Sequence, residues 1–336
     1  MPNTRDLIRF ALGALLVWLV FRGTAWDEVF RAIRSAHSAP LLGALAVAAC
    51  TQLIRAQRGA YVVRAASDAR YSTIYSSALI GIFLNVALPL RAGDAARALV
   101  LSKGIPVPGA KAVSMVVVDR IADLIGLLAL VGIVLAVLPR DLAVRAIPIP
   151  WPLIRMTTWA GVALVITLLA ILLFLYFDPA RALRLLELVA RPLPSDLQTK
   201  LGRTVRDLAG GLSILRAPAD IAKTLCFAFL AWLSACGTIH LVLVAFGLDS
   251  SWYSALLMQA LVALSVLVPL VPGLIGQYHL PIIAGLLATA PETGLPEAKA
   301  VAVVAHLAAV IPIAILGGAA LLRERLGVRR IGNETG

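Results

Sequence analysis

Charge is scarce in this chain. Of its 336 residues, 14% are Asp, Glu, Lys or Arg, against about 25% in an ordinary soluble domain. Acidic groups are the scarcer sign, 18 against 30 Lys and Arg. There are only three cysteines, Cys50, Cys226 and Cys236, and all sit in apolar runs. Their spacing excludes a disulfide framework or a thiolate metal site, so they read as small core residues. The four histidines form no H-x-x-x-H pair, which removes the usual zinc pattern. No phosphate-binding P-loop occurs, so ATP-driven chemistry is not expected. No nucleic-acid motif accompanies the net charge of +12. Strict apolar–polar alternation is missing too, which disfavours an outer-membrane barrel. No cofactor, metal or nucleic-acid partner is expected, and no catalytic motif marks an enzyme.

What the chain has is hydrophobicity: 60% apolar residues and a mean hydropathy of +0.92. Several runs approach the roughly 20 apolar residues that cross a bilayer. They lie near Leu7–Phe21, Ala39–Ile54, Thr73–Leu90, Ala112–Leu138, Thr157–Phe177, Ile221–Leu248, Trp252–Leu270, Tyr278–Ala290 and Ala298–Leu322. The expected fold is an all-α polytopic integral membrane protein, a single domain over residues 1–336. It should have about seven to nine membrane segments, one or two of them re-entrant or broken. The N-terminal run lacks a small-x-small cleavage site and reads as an uncleaved first helix. The Pro139–Pro152 stretch, ending at Trp151, reads as a rigid outer loop.

Cations between the runs set the topology. Arg5 and Arg9, the group Arg55, Arg58, Arg64 and Arg70, the basic linker 178–220 and the basic tail 323–336 all belong on the cytoplasmic side. That holds if Thr73–Leu90 dips into the membrane and returns, with Arg22, Arg31 and Arg34 as the outer exception. Both termini are then cytoplasmic in a bacterial inner membrane. In the linker, Leu197, Leu201, Val205, Leu208, Leu212 and Leu215 recur at three and four. This marks an amphipathic helix, lying on the inner surface or packed on the loops.

Three polar constellations interrupt the apolar runs. In NVALPLRAGDAARAL, Asn85 stands at membrane depth, Pro89 breaks the helix and Gly93 permits close approach. Arg91 and Arg97 offer forked donors suited to phosphate. Asp94 orients one of them, and the following helix points its free N–H groups at the same anion. A purely topogenic basic loop would explain the arginines but not Asn85, Pro89 and Gly93 together. In MVVVDRIADLIGL, Asp119 and Asp123 share a helix face and Arg120 reaches Asp123. Intramembrane charges of this kind default to function, the alternative being a self-neutralised cluster that pins packing. In VPLVPGLIGQYHLP, Pro272, Gly273 and Gly276 break a helix, and Gln277 and His279 follow. His240, His279 and His306 all fall in apolar runs and suit either packing or a proton relay. The forms P-L-R-A-G and P-L-V-P-G echo each other, as broken helices of transporters do.

Together and in this order, these motifs resemble the lysylphosphatidylglycerol synthetase transmembrane-domain family. The family pattern, approximately N-x-x-L-P-x-R-x-G-E-x-x-R, E-R-x-x-D-L and P-G-G-x-G-x-x-E, is met by Asn85, Leu88, Pro89, Arg91, Gly93, Asp94 and Arg97. It continues at Asp119, Arg120, Asp123 and Leu124, then at Pro272, Gly273 and Gly276. Asp94 and Asp119 replace glutamates. His279 and His306 stand where the family often has a glutamate and an arginine, so the two histidines are expected to approach each other, as a pair that could make activity pH-sensitive. The resemblance implies flippase-like translocation of a phosphate-bearing lipid, with Arg91, Arg97 and Arg120 on the phosphate. Asp94, Asp119 and Asp123 would hold these arginines, and Asn85, Gly93 and the Pro272–Gly276 break would line the passage. The chain stops without room for an aminoacyl-transferase domain, so lipid aminoacylation is not expected. Two other classes stay open. One is a membrane-embedded glycosyl or phospholipid transferase, for which Asp27 and Glu28 are the candidates. The other is a non-transporting partner of a lipid-modifying enzyme.

Overall fold

The computed structural model describes residues 22–88, 91–105, 107–137, 217–248, 251–266 and 271–334, with side chains to residue 324. It also describes residue 18 and scattered positions between 163 and 212. The first apolar run, Pro89 and Leu90, the Pro139–Pro152 stretch and most of the linker lie outside the described residues.

Every regular element among the described residues is helical, and the protein is an all-α polytopic membrane protein. The helices are α1 (Trp26–Ser35), α2 (Ser38–Arg64), α3 (Tyr71–Ala87), α4 (Ala92–Gly104) and α5 (Gly109–Val137). They continue with α6 (Pro218–Ala245), α7 (Trp252–Ser265), a short 3-10 turn (Pro272–Leu274), α8 (His279–Thr289) and α9 (Leu295–Glu334). Four are long and apolar enough to span: α2, α5, α6 and α9 through Glu324. Pro218 opens α6 and Pro40 and Pro296 sit in the first turns of α2 and α9, where a missing N–H costs nothing. Pro312 lies inside α9. Membrane helices tolerate such a proline when neighbours cover the freed carbonyl.

Two expectations are corrected. The segment Thr73–Leu90 does not turn back on itself: α3 runs unbroken from Tyr71 to Ala87, and the return leg is α4, Ala92–Gly104. Arg55 and Arg58 are not in a cytoplasmic loop; α2 continues through them to Arg64. Hydropathy ends the run at Ile54, but Arg58 is 2% exposed and neutralised from another helix. The cysteines also divide: Cys236 is buried, whereas Cys50 and Cys226 are on the exterior of the bundle.

Lipid supplies no hydrophobic drive for helix association, so close packing of small residues carries it. The core is accordingly alanine-rich: Ala44, Ala255, Ala298, Ala302 and Ala305 pack around Ile239, Met258 and Ile282. The long pair α2 and α6 runs antiparallel. Gly43 meets Leu241, Thr51 bonds Ser234 at 2.7 Å, and Tyr61 meets Phe227 edge-on at 5.4 Å.

Two helical hairpins are set into this frame from opposite ends. In the first, α3 and α4 run antiparallel, with Thr73 against Gly104 and Asn85 against Gly93 and Asp94. Neither is long enough to span: 17 and 13 residues give roughly 25 and 20 Å of helix. Its open end lies with the C-terminus of α2, where Lys111 Nζ donates to Ala66 O at 2.9 Å. In the second, α7 and α8 run antiparallel, with Met258 against Gly285 and Ser265 bonded to Gln277. They have 14 and 11 residues. Their open end lies with the start of α2, since His37 N–H donates to Ala245 O and Lys299 Nζ to Thr24 Oγ1. The two tips point toward each other, and α3 packs against the 272–274 turn.

Candidate functional site

The hairpin tips meet beside a cavity of about 210 Å³. Its charged wall comes from four places. The last turns of α2 supply Arg55 and Arg58, the α3–α4 junction Arg91, α4 Arg97, and α5 Asp119, Arg120 and Asp123. At about 1.5 Å per residue, Asp119 lies roughly 15 Å along α5. The wall therefore stands near the middle of the bundle, and membrane depth makes each of its charges expensive unless paired.

Most are paired. Arg58 Nε donates to Asp119 Oδ1 at 2.8 Å and Arg58 Nη1 to Asp123 Oδ1 at 2.5 Å. Arg97 Nη1 donates to Asp119 Oδ2 at 2.5 Å. Asp119 is completely buried and held between two guanidiniums. Arg120 Nη2 pairs with Asp94 Oδ1 at 2.8 Å and Nη1 with Asp123 at 3.5 Å. Asn85 Nδ2 donates to the same Asp94 oxygen at 2.9 Å. Asp94 therefore orients Arg120 and Asn85, not Arg91 or Arg97 as the i+3 spacing suggests. Glycines let this network close up: a Cβ on Gly59 would collide with the Arg97 guanidinium, and one on Gly93 with the Gly81 carbonyl.

Two arginines have no carboxylate among the described residues. Arg91 precedes α4 in left-handed backbone (φ 53°, ψ 37°), a conformation unusual for a residue with a side chain. Arg55 has its guanidinium carbon 5.9 Å from the Trp232 ring centroid, and its buried Nε makes no hydrogen bond. The Oε1 of buried Gln52 and the Nε of Arg97 are also without partners. Unsatisfied polar atoms at this depth ask for a ligand or water.

Of the residues singled out in the sequence, Asn85, Arg91, Arg97, Asp119, Arg120 and Asp123 converge on the cavity. Gly93 and Asp94 stand just behind it. Pro272, Gly273, Gly276, Gln277, His279 and His306 do not line it; from that break, Leu274 and Tyr278 do. Gly273 and Gly276 have φ of 71° and 85°, which glycine adopts without strain. Gln277 Nε2 donates to Ser265 O at 2.9 Å, tying the turn to α7. The two histidines do meet, ring centroids 4.7 Å apart. His279 Nδ1 accepts from Gly276 N–H at 3.1 Å, and His306 Nε2 bonds Gly273 O at 2.8 Å. Their contacts fasten the break. His240 stacks on Trp252. Among the described residues, no cluster of His, Cys, Asp or Glu could hold a metal.

Sequence reasoning missed Arg55 and Arg58. The available signal was the apolar residues on both sides of R-A-Q-R, with Tyr61, Val62 and Val63 continuing the run.

The fold and this wall define a class: a multi-pass helical membrane protein with a buried, net-cationic cavity where two opposed hairpins meet. The chain belongs to the lysylphosphatidylglycerol synthase TM region family, whose model matches residues 7–317. That membership associates it with lipid handling in a membrane. No curated protein matches it.

Proposed function

We propose that this chain is a flippase-like lipid translocator of a bacterial inner membrane, acting as a single membrane domain with both termini cytoplasmic. A phosphate-bearing headgroup would enter the cavity and engage Arg91 and Arg55. The observation that carries this reading is the pair of guanidiniums left over when the aspartates have been used. Arg97 and Arg120, each held by a carboxylate, shape the site and contribute their remaining N–H groups. Opposed broken hairpins with a site at their tips are a recurrent way to expose one site to either face. Without an ATP-binding motif, movement is passive or ion-coupled.

The test is headgroup translocation in proteoliposomes that carry several anionic lipids. Arg91→Ala should abolish movement while the purified protein keeps its elution volume and melting temperature. Unchanged translocation by folded Arg91→Ala removes the site from the mechanism.

A further inference from the structure

From the charge inventory of the cavity we infer that its preferred ligand is a phosphate monoester dianion, not a phosphodiester or an aminoacylated, cationic headgroup. This deepens the reading above and rests on it for the assumption that the ligand is a lipid.

Five arginines line the cavity: Arg55, Arg58, Arg91, Arg97 and Arg120. Three aspartates answer them, Asp119 and Asp123 in the wall and Asp94 behind Arg120. Among the described residues the cluster therefore keeps two positive charges, and geometry assigns them to Arg55 and Arg91. Both line the same cavity as the Arg120–Asp123 pair. An uncompensated charge in a dry interior is costly, so the ligand that relieves the most charge gains the most. A phosphate monoester carries roughly −1.5 to −2 near neutral pH. A glycerol-type phosphodiester carries one negative charge, a zwitterionic lipid none in total, and one aminoacylated with a basic residue such as lysine a net positive charge. Of these, only the monoester can neutralise both arginines with a single phosphate. It also has three terminal oxygens, enough to accept from two forked donors at once. Arg55 Nε and Arg97 Nε are buried without a hydrogen-bond partner. The lining also has an apolar part, with Val262, Ala263, Val266, Ala309, Val310 and Ile313, as suits a ligand with a hydrocarbon body.

The full chain in nanodiscs of neutral lipid would be titrated with phosphatidic acid, phosphatidylglycerol and inorganic phosphate, with binding read by native mass spectrometry or a thermal-shift assay. Phosphatidic acid should bind about tenfold or more tighter than phosphatidylglycerol. Arg55→Gln and Arg91→Gln should each bring the two lipids to near parity, and Arg91→Lys should keep part of the preference. Gln52→Glu, one helical turn from Arg55, lowers the excess to a single charge and should shift preference toward phosphatidylglycerol without removing an arginine. Equal binding of both lipids by the unaltered chain overturns the inference. Displacement of phosphatidic acid by equimolar inorganic phosphate keeps the dianion rule but makes free phosphate the ligand. Monoester preference without translocation leaves this inference standing and removes the translocator; translocation without monoester preference does the reverse.

Discussion

Arg58 and Arg91 line one cavity, yet their surroundings give them different work. Arg58 is 2% exposed and holds Asp119 and Asp123 at once. Arg58→Ala leaves Asp119 with Arg97 alone and Asp123 with Arg120 alone, and removing one member of a buried ion pair costs about 3–5 kcal/mol. Thermal unfolding in detergent should show a large drop, with Arg58→Lys recovering part of it. Arg91 has no carboxylate partner among the described residues, so Arg91→Ala should leave the melting temperature unchanged or raise it while binding is lost. A fall in stability of Arg91→Ala equal to that of Arg58→Ala would make Arg91 structural. The sequence displayed Arg91, Asp94, Arg97, Asp119, Arg120 and Asp123 because each stands inside a polar motif. It hid Arg58 because the partners are 61 and 65 residues away, and hydropathy scores a cation the same whether it is solvated or neutralised. Spacing within one helix also misassigned Asp94, whose partner is on α5.

At the level of elements, the first hairpin depends on backbone contact at one crossing. Gly93 meets the Gly81 carbonyl and the backbone N of Asn85, and a Cβ there would overlap both. These atoms belong to a helix and cannot swing aside as a side-chain tip could. Gly93→Ala should therefore push α4 off α3, at a cost of roughly 1–3 kcal/mol. It should also move Arg97 relative to Asp119. Reduced thermal stability together with weaker anion binding is expected; wild-type values in both would mean that the crossing relaxes freely. The same logic operates where Gly317 of α9 meets Phe83 of α3. The presence of both breaks was legible from Pro89, Gly93, Pro272 and Gly273, since proline and glycine end helices locally. What lines the cavity at the second break was not. Leu274 and Tyr278 face the site while His279 and His306 face the turn, and only tertiary packing decides which side of a break looks inward.

For the molecule as a whole, the two hairpins make opposite demands on topology. Asp68 and Lys103 flank the open end of α3–α4, whereas Ser35 and Glu292 belong to the end from which α7–α8 enters. All four side chains are exposed. With Cys50, Cys226 and Cys236 replaced by alanine, single cysteines at these positions should be labelled in two groups by a membrane-impermeant maleimide. Asp68→Cys and Lys103→Cys should react from one face, and Ser35→Cys and Glu292→Cys from the other. In the proposed orientation the first pair faces the cytoplasm, as the charge bias of cytoplasmic loops predicts from the basic residues near the α2–α3 connection and in the C-terminal tail. Labelling of Asp68 and Lys103 from opposite faces would mean that the chain crosses between them, and the hairpin would be lost. The grouping matters for function because α3–α4 reaches the cavity from one side and α7–α8 from the other. On the proposed translocator reading, a site at the meeting of two such tips would open toward either face by small, opposed movements. An arrangement with both hairpins on one side would leave Arg55 and Arg91 reachable from that side alone, and would make the cavity a binding site instead of a passage.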